Sequence, residues 1–224
     1  LNYKNPHFKF IFLKTDQLIS INNRILRLTD GRQTLKEYIL KNKISSNFVT
    51  IIDLDDVISK GFSDSEYFKM LKILNNNRDS LFGVSSKSKP YYYDLLPLII
   101  KDYFEFDIYR VQTDFKLFSA FRDRKKYIYD FQRRITKMKD VLTISSHNGL
   151  TTYLFDDYML GNYISSNVDQ IVSEHITFNK SIHKITNKKI LMSNELNLVT
   201  PKEHMPLNFK QFLKNSILKL LRKF

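Results

Sequence analysis

Two hydrophobic periods alternate along this chain. Apolar runs of strand length and composition occur at "HFKFIFL" (7–13), "NFVTIIDL" (47–54), "LFGVSS" (81–86) and "VLTISS" (141–146). Between them, apolar residues at helical spacing predict helices over "DGRQTLKEYILKN" (30–42), "SDSEYFKMLKILNNN" (63–77) and the charged "RDRKKYIYDFQRRITKMKD" (122–140). Ser63 and Asp64 supply the cap signal expected at a helix start. "YYYDLLPLIIKDYF" (91–104) reads as helical, interrupted at Pro97. Strands alternating with helices predict an α/β fold: a mixed, mostly parallel central sheet of Rossmann-like type, flanked by helices. No internal repeat and no Ser/Gly-rich linker divides the chain, so residues 1–206 are expected to form one domain, followed by a terminal helix over 207–224.

The apolar run at "NFVTIIDLDDV" ends in three carboxylates, Asp53, Asp55 and Asp56. Open α/β sheets bind ligands at the carboxyl ends of their strands. Acids gathered there repel one another and call for a cation, and a hard divalent ion carrying a phosphate ligand meets that need. Capping the next turn accounts equally well for Asp56, but for one acid rather than three.

Charge widens the list of partners and motif content narrows it. The 224 residues include 36 basic and 23 acidic side chains, a net charge of +13, which suits nucleic acid, an anionic membrane surface or a phosphorylated substrate. With no zinc-finger spacing, RNP-like aromatic motif or Gly-rich nucleic-acid loop, nucleic acid is not expected as a partner. The chain has no Cys, which excludes disulfides and thiolate metal sites and points to a reducing, cytoplasmic setting. No signal peptide and no apolar run long enough to span a bilayer is found. The tail "NFKQFLKNSILKLLRKF" places Phe209, Phe212, Leu213, Ile217, Leu220, Leu221 and Phe224 at helical spacing, beside Lys210, Lys214, Lys219, Arg222 and Lys223 and no acid. It reads either as an interfacial helix peripheral on an anionic membrane or as a helix docked on the domain.

Two enzyme classes end a strand in D-x-D. In haloacid-dehalogenase-like phosphatases the first Asp is the nucleophile; here that would be Asp53, with Ser85 or Ser86 and Asp156–Asp157 as partners. The other class is the GT-A glycosyltransferases, to which more of the chain is similar. "NNRILRLTDGRQTLKEYI", with Arg24, Arg27 and Arg32, resembles the "R-x-x-R-L-x-x-x-R-N-x-x-L" segment of a group that includes algal-virus capsid-glycan enzymes and, distantly, fungal capsule mannosyltransferases. "DLDDV", "YYYD", "ISSHNGLTTY" and "SEHITFNKSIHKITNKKILMSNELNLVTPKEH" resemble the group's further segments in order, over about residues 20 to 205. Gln33 stands where the group has Asn, and the "YYD" segment lacks its Trp and Arg. Ahead of "HFKFIFL" the group's first strand and nucleotide-contacting loop have no counterpart, so the N-terminal strand is expected to be truncated.

The resemblance implies a GT-A-like, metal-dependent glycosyltransferase. Such an enzyme moves a sugar from a nucleotide-diphosphate donor to a glycan or lipid-linked acceptor. It implies Mn²⁺ or Mg²⁺ held by Asp53, Asp55 and His204, with His175 as an alternative ligand, Arg24, Arg27, Arg32 and Asp53 on the donor and Glu174 or Asp94 as the base. Tyr93, Asp94, His147, Asn148, Gly149 and His175 are implied as acceptor contacts. A basic module binding membrane or nucleic acid, without catalysis, is the reading from a different class; it predicts unchanged function in Asp55→Ala.

Overall fold

The computed structural model describes residues 24–54, 56–105, 121–122, 125–164 and 173–221. The expected strand at 7–13 lies outside them. In chain order the elements are α1 (Arg24–Lys41), β1 (Phe48–Ile52), α2 (Asp64–Asn76), β2 (Leu81–Lys89), β3 (Ile99–Ile100), β4 (Phe104–Glu105), α3 (Asp130–Lys137), β5 (Val141–Thr143), β6 (Leu150–Leu154), α4 (Phe155–Leu160), α5 (Glu174–Thr186), β7 (Lys189–Val199) and α6 (Phe209–Leu221). A π-turn over Lys125–Tyr129 leads into α3. Short 3₁₀ turns cover Asp56–Ile58 and Lys202–His204.

Five strands form one mixed sheet in the order β1-β6-β2-β7-β5, and β3 and β4 form a separate two-stranded ribbon. The sheet is less parallel than expected. Only β2 and β7 pair in parallel; β1 with β6, β6 with β2, and β5 with β7 are antiparallel. The cause is β6. No strand is expected from its residues in the sequence, yet they insert between β1 and β2 and separate two strands that the β1-α2-β2 alternation would place side by side.

Helices cover both faces. On one face Met70 and Leu74 of α2 pack with Val84, Leu150, Leu154, Leu196 and Leu198. On the other, Tyr158 of α4 and Phe178 and Ile182 of α5 pack with Phe82, Tyr153 and Ile190, and Ile39 of α1 joins them. The pleat explains the split, since successive strand side chains point to opposite faces: Tyr153 faces one cluster and Leu154 the other.

Three local differences from expectation have physical causes. The helix α1 begins at Arg24 rather than Asp30, so it carries Gly31 in its interior, at a cost of about 1 kcal/mol relative to Ala. Residues 91–98 are not helical: Tyr92, Leu95 and Leu98 bury into a third cluster with Ile135 and Met192. The strand β2 runs three residues past the "LFGVSS" expectation because Ser85, Ser86, Lys87 and Ser88 are all buried and bonded. By contrast, α2 starts where the capping signal places it: Ser63 Oγ accepts from Glu66 N–H at 3.2 Å, and Ser63 N–H donates back to Glu66 Oε2 at 3.2 Å.

Candidate metal centre

Asp53 follows the last residue of β1, and its backbone is fixed from the neighbouring strand: Asp53 N–H donates to Gly149 O at 2.9 Å. Gly149 belongs to the turn that opens β6. Asn148 and Gly149 both have positive φ, 55° and 83°, the conformation that an Asn-Gly pair favours in tight turns. The turn is pressed against the core. A Cβ on Gly149 would lie 2.6 Å from Val57 Cγ1 and 3.1 Å from the Tyr93 hydroxyl. Buried serines of β2 hold it from beneath. Ser86 Oγ donates to Asn148 O at 2.9 Å, Ser88 Oγ to Asn148 Oδ1 at 3.2 Å, and Ser85 Oγ lies 2.6 Å from Ser146 Oγ.

This turn delivers His147 to Asp53. Thr151 Oγ1 faces the carbonyls of Ser146 and His147 as a donor and lies 3.1 Å from His147 Nδ1. His147 Nε2 lies 3.2 Å from Asp53 Oδ2, so ring and carboxylate face each other across the site.

The helix α5 brings the remaining groups. Asn179, one turn below His175, donates to Ser145 Oγ at 3.0 Å and accepts from the Tyr153 hydroxyl at 3.1 Å, which pins the helix start against the 144–149 loop. The His175 ring stacks on that of His147, with centroids 3.7 Å apart. Glu174 sits in the first turn, where a carboxylate suits the helix dipole. Burial, followed by the charges of His147 and Arg32, holds His175 well below the usual imidazole value, so it is neutral at physiological pH.

From α1, Arg32 reaches into the middle of these groups. Its Nη2 donates to Asp53 Oδ1 at 2.9 Å, and its Nη1 bonds Glu174 Oε1 and approaches His175 Nε2 at 2.5 Å. One turn on, buried Lys36 donates to Gly161 O and fixes that face of the helix. Burial raises the Asp53 carboxyl, but the hydrogen bond and charge of His147 and the charges of Arg32 and Arg24 outweigh it and leave the group below its usual value. Asp94, from the loop after β2, accepts from Asn148 N–H at 3.2 Å. Burial first, then the neighbouring charges of Asp53 and Glu174, push it up to about 6 against the pull of His147.

Asp53, His147 and His175 thus present ligand atoms within 4.8 Å of one another. Two imidazoles and a carboxylate form a donor set for a borderline ion such as Fe²⁺ or Zn²⁺; Mn²⁺, a harder ion that still accepts imidazole, is accommodated better than Mg²⁺, which prefers oxygen ligands throughout. His147 Nε2, buried and facing Asp53 Oδ2, fits such an ion. Arg32 Nη1 competes with it for the His175 Nε2 lone pair.

Sequence and structure differ in part on this site. Asp55 lies outside the described residues, and Asp56 is exposed at the head of its 3₁₀ turn. His204, an expected ligand, stands apart from the three-residue group: its ring lies 4.9 Å from that of Tyr93 and its side chain is 45% exposed. His147, expected at the acceptor, is grouped with Asp53 instead, together with His175, expected either at the metal or at the acceptor. Arg24 is exposed at the start of α1 and influences Asp53 through its charge; Arg27 is half-buried one turn on. Of the partners a phosphatase would use, Ser85 and Ser86 lie beneath the 146–149 turn but are bonded to it, and the two acids lie elsewhere. Because β6 is antiparallel to β1, α4 and its Asp156 and Asp157 leave the sheet at the end opposite Asp53, and Asp157 is bonded to Lys188 at 2.8 Å. Sequence reasoning missed Thr151, which contacts the His147 ring, and Asn179 and Ser88, which fix the 145–148 loop; the run of small hydroxyl residues in "SSKS" was the signal for the last of these.

Comparison with protein-family models, with curated proteins and with solved structures found no match.

Proposed function

We propose that this chain is a metal-dependent glycosyltransferase that moves a sugar from a nucleotide-diphosphate donor to a hydroxyl acceptor on a glycan or lipid-linked glycan. One observation carries the reading. Arg32, Asp53, Asp94, His147 and the Glu174–His175 pair come from five separated segments, each of which resembles a segment of the GT-A glycosyltransferases, and they converge beyond the carboxyl end of β1. That is where an open α/β sheet binds ligands.

Asp53, His147 and His175 would hold Mn²⁺. When bound, the ion acts as a Lewis acid toward the leaving diphosphate. Arg32 is the nearest fixed cation, and its planar fork suits phosphate oxygens as it suits Asp53 and Glu174 in the ligand-free protein. Of the two candidate bases, Glu174 is bonded to Arg32, whereas Asp94 accepts a single backbone N–H from Asn148. Asp94 is therefore the better-placed group to take the acceptor hydroxyl proton. Asn148 Nδ2 is buried without a partner beside it and suits a sugar hydroxyl.

A thermal-shift panel of nucleoside diphosphates and nucleotide sugars, each with and without Mn²⁺, tests the reading, because a ligand that binds only the folded state raises the midpoint. The expected result is a Mn²⁺-dependent rise with one nucleotide family and none in Asp53→Asn. A flat panel, together with Asp53-dependent hydrolysis of an aryl phosphate, would move the assignment to a phosphatase.

A further inference from the structure

The helix α6 is docked at one end and open at the other. The rings of Phe209 and Phe212 each lie 5.3 Å from that of Phe121, and Phe212 is buried. Further along, Ile217 is 51% exposed and Leu218 43% exposed, and Lys210 and Lys214 stand in solvent on the same helix. From Leu207 to Phe224 the sequence carries five basic residues and no acid. The α3 segment extends this charge. Gln132 Nε2 donates to His204 O at 3.1 Å, which ties α3 to the turn ahead of α6; Arg134 and Lys137 of α3 are exposed, and Arg133 is paired with Asp130 at 3.0 Å.

We propose that α6, with the adjoining α3, forms a docking surface for an anionic lipid bilayer. Ile217 and Leu218 enter the boundary between headgroups and acyl chains, while the lysines of α6 and the basic side chains of α3 meet the negative headgroups. The Phe209 and Phe212 rings pack on Phe121 and leave the far end of the helix open to the bilayer.

The chemistry selects this partner over the alternatives. Interfacial helices combine a strongly basic face with exposed aliphatic or aromatic residues. A nucleic-acid surface pairs its charge with aromatic platforms for bases and gives Ile217 and Leu218 no favourable place. A second copy of the chain would bring a further net +13 against this one. Among the described residues no helix is long and apolar enough to cross a membrane, so the contact proposed is peripheral. It is independent of the catalytic assignment.

Co-sedimentation of the full chain with phosphatidylcholine vesicles, with and without phosphatidylserine, is the test. The variants are Lys210→Glu/Lys214→Glu and Ile217→Asp/Leu218→Asp. All four sites are exposed, so circular dichroism midpoints are expected to match the wild type. The chain should bind only the vesicles containing phosphatidylserine. Each double variant should bind at least about tenfold more weakly, because each basic residue near an anionic surface contributes about fivefold. Lower salt should restore the lysine variant less than it strengthens the wild type. Absence of wild-type binding, binding indifferent to Ile217→Asp/Leu218→Asp, or displacement from vesicles by an oligonucleotide would each overturn the proposal.

Discussion

Replacing glycines by alanine tests whether the turn that carries His147 is packed as described. Three glycines separate the two costs involved. Gly61 has φ 66° and nothing within 4 Å of the place a methyl group would take, so Gly61→Ala meets backbone strain alone, about 1 kcal/mol. Gly161 has φ −66°, which any residue adopts, but its Cβ would fall on the Phe178 ring, itself fully buried among Tyr153, Tyr158 and Tyr163. Gly161→Ala therefore meets overpacking alone, about 1–3 kcal/mol. Gly149 carries both costs: φ is 83°, and a Cβ lies 2.6 Å from Val57, which is 1% exposed and has no space to yield. Their sum is about 2–4 kcal/mol, which for a domain of this size lowers Tm by about 4–16 °C. Gly61→Ala should lower it by about 2–4 °C. Differential scanning calorimetry in EDTA reads all three. If Gly149→Ala melts with Gly61→Ala, the turn is not seated on Val57, and the placement of His147 and of the Asp53 backbone fails with it.

Two further outcomes follow from the cluster's charges. Arg32→Met leaves Asp53 and Glu174 without their shared cation in a largely buried setting, so the metal-free protein should lose about 3 kcal/mol in urea unfolding. The same change removes the competitor at His175 Nε2, so Mn²⁺ should raise the midpoint of Arg32→Met more than that of the wild type; an equal or smaller rise would refute the idea that arginine and ion share the site. Asp94 tests the electrostatics through pH. Its carboxyl binds a proton at about 6 in the folded protein against 3.8 ordinarily, so the folded state holds more protons between those values and stability falls as pH rises through them. The gap corresponds to on the order of 3 kcal/mol. In EDTA, wild type should therefore gain stability over Asp94→Asn as pH is lowered from 7 to 4, and parallel curves for the two proteins would contradict the burial assigned to Asp94.

What could be read from the sequence was what short-range physics decides. The Ser63 cap and the apolar spacing of Met70 and Leu74 specified α2, and the "FVTII" run specified β1 with Asp53 at its end. The basic apolar period of "NFKQFLKNSILKLL" likewise specified α6. What failed depended on distant partners. The strand β6 carries two threonines in "LTTYL" and follows an Asn-Gly turn; only its register against β1 and β2 buries it. The tyrosine-rich 91–98 stretch has enough apolar residues for a helix, but they bury in an irregular loop under α3. The ligand set divided in the same way. Asp53 is visible as an acid ending a strand. Choosing His147 and His175 over His204 needed the stacking of the 144–149 loop on α5, which no spacing in the chain encodes.

Direct titration of Mn²⁺ by electron paramagnetic resonance, which counts free ion, tests the central claim most closely, since it needs neither donor nor acceptor. One Mn²⁺ site per chain is expected in the wild type, lost in Asp53→Asn and in His147→Gln and retained in His204→Gln, with circular dichroism confirming that each variant is folded. A site that survives Asp53→Asn and disappears with His204→Gln, or a wild type that binds no Mn²⁺, would contradict the centre built on Asp53, His147 and His175.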